Sequence, residues 1–177
     1  MKIICVNGYA RSGKDSFCDA AFYNRGLIYP FSTIDEIKRL ASQFGWDGKK
    51  DAKGRKLLSD LKDCLTEYNN FPTKYIIEQI KVRLDIIQEG EIYDNVIFLV
   101  QMREPKEIKY WKENYGAKAL LITRPNSEKE WGNHADDEVL NASYDYVLEN
   151  TSDLEDWKLK SIKFIDKIRK ENWESHV

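Results

Sequence analysis

The sequence predicts a three-layer α/β fold built on a five-stranded parallel sheet flanked by helices. Short runs rich in β-branched and aliphatic residues recur along the chain without polar alternation, as strands buried on both faces require. Segments with apolar residues at helical spacing separate them, the alternation that builds a parallel sheet. The first run also ends in a glycine-bearing loop that opens directly into a helical pattern, "VNGYARSGKDSF" at residues 6–17.

Residues 2–6 are the first buried strand, closed by Asn7 and Gly8, and residues 12–23 the first helix. Residues 27–31 form a weaker strand. Ser32 or Thr33 then caps a helix through about residue 44, with Glu36 at the capping-box position. Leu57, Leu58, Leu61, Cys64, Leu65 and Tyr68 recur at helical spacing, which predicts a helix over 54–69 with one buried face. Pro72 opens a further helix, whose stripe is Ile76, Ile77, Ile80, Leu84 and Ile87. Strands follow at 96–100, 118–123 and 144–148, with helices over 104–114 and from 154 to about 170. The tail "KENWESHV" reads as a fraying helix end.

With 177 residues the chain is long enough for one domain with a real core, and no repeat or linker divides it. A hydrophobic fraction of 42%, a charged fraction of 33% and a net charge of -2 mark a folded, water-soluble chain. The lysines are spread among acidic residues, which argues against nucleic acid as a partner. The N-terminus "MKIICVNG" lacks the apolar core of a signal peptide, and no run is long enough to span a bilayer, so a cytoplasmic protein is expected. Cys5, Cys18 and Cys64, odd in number and unrelated in spacing, fit buried thiols in a reducing compartment. His134 and His176 lie too far apart, with no accompanying cysteine pair, to suggest a structural metal site.

Residues 8–14 match GxxxxGK between a strand and a helix, the context in which that pattern carries meaning. Glycine lets such a loop turn sharply and bring its backbone close to a ligand. Successive N–H groups then converge on phosphate oxygens, and the positive end of the helix dipole adds to the attraction. Lys14 would reach the β and γ phosphates. Asp15 stands where a serine or threonine usually ligates Mg²⁺. A carboxylate beside a triphosphate needs an intervening cation or an arginine, so Asp15 has a role near Mg²⁺, a salt link to a basic residue, or a simple preference for the N-terminal end of its helix. Ser16 is not an equivalent donor, since one step along a helix turns the side chain by about 100°.

The loop "GYARSGKDS" resembles that of the P-loop nucleoside monophosphate kinases, in particular the deoxynucleoside monophosphate kinases, including the aspartate after the lysine. The resemblance implies a single P-loop NTPase domain over 1–177, with a helical acceptor-binding insertion over about 33–90 and a short lid over about 125–143. It implies ATP and Mg²⁺ as cofactors, with Gly8, Tyr9, Ala10, Ser12, Gly13, Lys14, Asp15 and Ser16 around the donor and Asp15 and Ser16 nearest the metal. "GRKLLSDLKD" is similar to the helix whose arginine holds the acceptor phosphate, here Arg55. "FLVQMREPKEI" is similar to a strand end carrying Asp-x-Arg-x-x-x-Glu, with Arg103 and Glu107 matching and Gln101 in place of the aspartate. "LLITRPN" and "YDYVLENTSDLEDW" resemble the fourth strand with its arginine, Arg124, and the last strand with a loop around adenine, Asn150, Thr151 and Ser152. The lid is acidic at Asp136, Asp137 and Glu138, where related kinases often carry arginines.

Phosphoryl transfer independently requires several fixed cations, and arginine binds phosphate oxygens bidentately without deprotonating. Of eight arginines, Arg11, Arg55, Arg103 and Arg124 fall in the loop or near element ends; the competing role for each is a surface ion pair. Trp46, in the polar stretch 45–56, either stacks on an acceptor base or packs on the core, whereas Trp111, Trp131, Trp157 and Trp173 are expected to pack. The leading expectation is an ATP-dependent kinase acting on a nucleoside or deoxynucleoside monophosphate, as a monomer or homodimer. Phosphomevalonate kinase carries a similar SGKD loop, so another phosphomonoester is an alternative acceptor. A nucleotide-binding regulatory protein without catalysis is the third reading.

Overall fold

The computed structural model describes residues 1–87, 95–125 and 139–177. The expected Trp131 and His134 and most of the expected lid, including Asp136, Asp137 and Glu138, lie outside the described residues. By its internal contacts the chain divides into two compact units, Met1–Pro30 with Glu89–Val177, and Phe31–Gln88.

The first unit holds a five-stranded sheet in the order β2-β3-β1-β4-β5. Its strands are β1 (Lys2–Asn7), β2 (Ile28–Ser32), which runs across the division, β3 (Ile97–Gln101), β4 (Lys118–Thr123) and β5 (Tyr146–Glu149). β1 pairs in parallel with β3 on one side and β4 on the other, and β4 pairs in parallel with β5. Position explains pattern: all six residues of β1 are buried, whereas β5, at the sheet edge, alternates half-buried and exposed residues. Helices α1 (Lys14–Asn24), α5 (Pro105–Tyr115) and α6 (Leu154–Lys170) accompany the sheet, and a short 3-10 turn spans Val139–Asn141. The second unit holds α2 (Asp35–Gln43), α3 (Ala52–Asn69) and α4 (Phe71–Ile87).

The sheet core joins Ile4, Val6, Ile97, Leu99, Leu120 and Ile122 to Phe17, Trp157 and Phe164 of α1 and α6. Phe17 lies 6.3 Å from Trp157 and 5.9 Å from Phe164, centroid to centroid, so α1 and α6 pack through aromatic contacts. Asp153 caps α6 by accepting from the Asp156 amide at 3.0 Å, and Lys167, Arg169 and Lys170 complement its C-terminal end.

The tail is docked rather than frayed. The Ile3 amide donates to Ser175 Oγ at 2.9 Å, Ser175 Oγ donates to Gly116 O at 3.1 Å, and the His176 amide donates to Tyr115 O at 3.1 Å. Partners 172 residues away supply what local pattern does not show.

In the second unit, Ile37, Ala41 and Leu58 form a small core against which Ile34, Trp46, Leu61, Leu65 and Phe71 pack. Trp46 therefore packs on its own unit, with Nε1 donating to Lys49 O at 3.1 Å. The apolar face of α3 is narrower than expected: Leu57, Cys64 and Tyr68 are exposed. Along α4, Ile76, Ile77, Ile80 and Leu84 are buried as the stripe requires. The capping box is replaced. α2 starts after Ile34, one residue later than a Thr33 cap demands, so Glu36 falls short of the position that reaches back to the cap. Its carboxylate instead accepts from Arg39 Nε at 2.8 and 2.9 Å.

The Arg39 guanidinium holds the buried Glu36 carboxyl below its ordinary value of 4.5. A depressed carboxylate contributes stability above its unfolded pKa and loses it as pH falls through the lower folded value. Glu36→Gln is therefore expected to lower the unfolding midpoint at pH 7, with the difference from wild type shrinking as the pH falls; denaturant melts over a falling pH series read this directly. The cysteines supply a second check. Cys5 and Cys18 are buried and Cys64 is exposed, and burial pushes the Cys18 thiol up to about 12. A thiol reagent at pH 8 should find a single fast-reacting cysteine in the native protein, lost in Cys64→Ser, and three after denaturation.

Candidate functional site

Parallel sheets place ligands beyond the carboxyl ends of their strands, where neighbouring connections diverge. Here that point is the end of β1, flanked by β3 and β4, and the glycine loop leaves from it. Gly8 has φ 152° and Gly13 φ 104°. A Cβ on Gly8 would stand 2.2 Å from Ile122 O of β4. A Cβ on Gly13 would stand 2.5 Å from Asn150 Nδ2 and 3.0 Å from Trp157 Nε1. Between them Arg11 adopts φ 61°, a left-handed conformation that costs a non-glycine residue about 1 kcal/mol and points to a constrained loop.

Lys14 Nζ donates to Gly8 O and Tyr9 O, both at 2.7 Å, which folds the ammonium over the mouth of the loop. α1 begins directly after Gly13, and no side chain caps it. Its first amides are thus of the kind that receive anions, with the helix dipole favouring negative charge. Asp15 is exposed in the first turn, and Ser16 is half-buried beside it. Tyr9 and Ala10 are half-buried, whereas Ser12 is fully buried and its Oγ has no hydrogen-bond partner among the described residues.

The other strand ends bring the expected cations to the same edge of the sheet. Arg103 follows β3 and is half-buried, and Arg124 follows β4 and is exposed, as is Arg11 in the loop. Glu107 is buried in the first turn of α5, and Gln101, ending β3, donates to Cys18 Sγ at 3.5 Å. Arg55 belongs to the second unit, where it is exposed in the first turn of α3 and donates through Nε to Lys50 O at 2.7 Å. Asn150 is not presented outward toward a base: its side chain is buried and donates to Ser12 O at 3.0 Å, while its amide donates to Thr123 O at 2.8 Å. Thr151 is exposed and Ser152 half-buried.

Sequence reasoning passed over Asn7. Fully buried at the end of β1, it accepts the Gly8 amide at 2.7 Å and donates to Arg103 O at 3.1 Å and Tyr144 Oη at 2.7 Å. One carboxamide thereby sets the start of the loop and the backbone that carries Arg103. Tyr144 in turn donates to Val139 O, and burial pushes its hydroxyl up to about 12, so it stays protonated in both roles through the physiological range. An asparagine ahead of the first glycine was the available signal, but on sequence it reads as a turn residue. Among the described residues no group of three or more His, Cys, Asp or Glu side chains is placed to hold a metal ion, and no helix is long and apolar enough to cross a membrane.

No family model matches the chain, and no curated protein is similar to it in sequence. Its likeness is to solved structures. A Thermus thermophilus protein is similar at TM-score 0.52 and 17% identity, over 94% of this chain and 97% of that chain. A dephospho-CoA kinase from Campylobacter jejuni is similar at TM-score 0.48 and 16% identity, over 96% and 98% of the two chains. A sugar kinase from Janibacter gives TM-score 0.49 and 13% identity, over 94% and 95%. At such identities the likeness concerns the fold, which the Thermus structure shares along nearly its whole length.

The glycines make the loop geometry testable. Gly8→Ala sets a Cβ against backbone that cannot swing away, so it is expected to destabilise the protein by about 2 kcal/mol or more. Gly13→Ala, at φ 104°, meets the buried Asn150 and Trp157 side chains at a slightly longer 2.5 Å and is also expected to destabilise, by less than Gly8→Ala. Chemical denaturation of the two variants checks the order; equal stability of Gly8→Ala and wild type would contradict the close approach to β4.

Proposed function

We propose that the chain is an ATP-dependent phosphotransferase whose acceptor is a nucleoside or deoxynucleoside monophosphate. The observation that carries the proposal is the loop itself: Lys14 Nζ lies over the mouth of a loop whose two glycines admit no Cβ, at the uncapped start of α1. Arg11, Arg103 and Arg124 follow the ends of β1, β3 and β4 around it. Such a group suits the charge spread over a transferring phosphoryl group, where catalysis is mostly positioning and electrostatic stabilisation. The orphaned Ser12 Oγ, the glycine cradle and the uncapped amides fit the phosphates of a nucleotide.

In this reading the loop amides and Lys14 hold the β and γ phosphates of ATP. Arg103 orients the acceptor phosphate, and Arg11 and Arg124 neutralise charge on the donor. For Arg55, in the helical unit, the acceptor role rests on the sequence resemblance alone. No general base is needed, because a phosphate acceptor is already anionic at neutral pH. Asp15 and Ser16 are the residues of the chain that would face Mg²⁺ beside the phosphates. Bound there, Mg²⁺ would neutralise charge on the phosphate groups.

The test is ADP formation from ATP and Mg²⁺ with a panel of ribo- and deoxynucleoside monophosphates and with phosphomevalonate. Turnover with one nucleotide acceptor, reduced about 100-fold or more in Lys14→Ala and comparably in Arg103→Ala, is the expected outcome. Turnover with phosphomevalonate alone would transfer the proposal to that acceptor class. ATP binding without turnover on any acceptor would replace it with a nucleotide-binding protein.

A further inference from the structure

Two side chains from the C-terminal end of the sheet unit grip the phosphate loop from behind. Asn150, just past β5, donates through Nδ2 to Ser12 O at 3.0 Å, and Trp157, in the first turn of α6, donates through Nε1 to Gly13 O at 3.1 Å. These are consecutive loop carbonyls, and their donors come from 138 and 144 residues away. Both donors are rigidly seated. Asn150 is 4% exposed with its backbone tied to Thr123 O, and Trp157 is 1% exposed within the aromatic core. The carboxamide orientation follows from its partner, since a carbonyl only accepts and the NH₂ side must face it.

We propose that Asn150 and Trp157 are positioning residues for phosphate binding: by holding the Ser12 and Gly13 carbonyls they aim the Gly13 and Lys14 amides at the bound phosphate. In a trans peptide the C=O of one residue and the N–H of the next point in opposite directions, and there is no cis peptide bond among the described residues, the loop included. Fixing Ser12 O toward Asn150 therefore turns Gly13 N–H to the opposite side, and fixing Gly13 O toward Trp157 does the same for Lys14 N–H. The Phe17 amide also donates to Gly13 O, at 2.9 Å, as the first bond of α1, so Trp157 adds a lateral hold to a carbonyl that the helix already uses. The same contacts account for glycine at 13, since any Cβ there would fill the space these donors occupy. Donors held before the ligand arrives lose less on binding than donors that must reorganise.

The inference rests on the loop being a phosphate site, and the experiment separates the two. Inorganic pyrophosphate is titrated into the ¹⁵N-labelled full-length chain as wild type, Lys14→Ala, Asn150→Ala and Trp157→Phe, the last of which keeps an aromatic ring but removes the N–H donor. Wild type should bind and Lys14→Ala should not. Asn150→Ala and Trp157→Phe should each weaken binding about tenfold, equivalent to about 1.4 kcal/mol. On saturation the downfield shift of the Gly13 amide should shrink in Asn150→Ala and that of the Lys14 amide in Trp157→Phe, with β4 amides unchanged. A purely structural role would not move single loop amides in this selective way. Should Asn150→Ala fail to fold, Asn150→Ser takes its place. Lys14-dependent binding that is unchanged in both variants, with wild-type amide shifts, would overturn the positioning role alone. Failure of wild type to bind pyrophosphate, or binding indifferent to Lys14→Ala, would overturn the phosphate-site reading and the inference with it.

Discussion

Gly8 leaves β1 with its backbone so close to the β4 carbonyl of Ile122 that a Cβ would stand 2.2 Å away, and a Cβ on Gly13 would stand 2.5 Å from Asn150 and 3.0 Å from Trp157. This contact between loop backbone and its surroundings is the constraint on which the site depends. It places the loop against β4 at one end and against α6 at the other, so that the sheet and the last helix together fix where the loop amides lie. A looser loop would keep the same sequence pattern and lose the fixed orientation of its amides, which any anion binding there would need.

Around that constraint the polar groups have divided roles. Buried carboxamides carry the architecture: Asn7 joins the Gly8 amide, the Arg103 carbonyl and Tyr144, and Asn150 joins β4 to the loop. Lys14 and the arginines Arg11, Arg103 and Arg124 supply charge nearer the surface, at the ends of β1, β3 and β4. Neutral amides suit the first role because burying them once hydrogen-bonded is far less costly than burying a charge. Guanidinium groups suit the second because they remain charged and bind phosphate in two directions.

The helical unit is organised differently. Its small core of Ile37, Ala41 and Leu58 is supplemented by half-buried aromatic and aliphatic side chains, and a pair such as Glu36 with Arg39 contributes where the core is thin. Exposed apolar side chains on α3, including Tyr68 at 81% exposure, show how narrow its buried stripe is. Helical spacing alone marked a wider face, because it records which residues are apolar and not how much partner surface is there to cover them.

Much of this was legible without coordinates. The bounds 118–123 for β4 and 154–170 for α6 follow from local rules: a continuous aliphatic run with Gly116 closing the helix before it, and an Asp153 cap with acidic and basic ends. The GxxxxGK loop, Lys14 and the cations at strand ends were visible for the same reason, since turn chemistry and element ends are written in neighbouring residues. The later start of α2, the exposure of Cys64 and the docked tail were not, because each is settled by packing or by hydrogen bonds to distant segments. The grip of Asn150 and Trp157 on the loop belongs to that second group. Sequence determined that a GxxxxGK loop joins a strand to a helix in a parallel α/β fold; only the tertiary structure, by bringing together residues more than a hundred positions apart, decided which side chains hold that loop in shape.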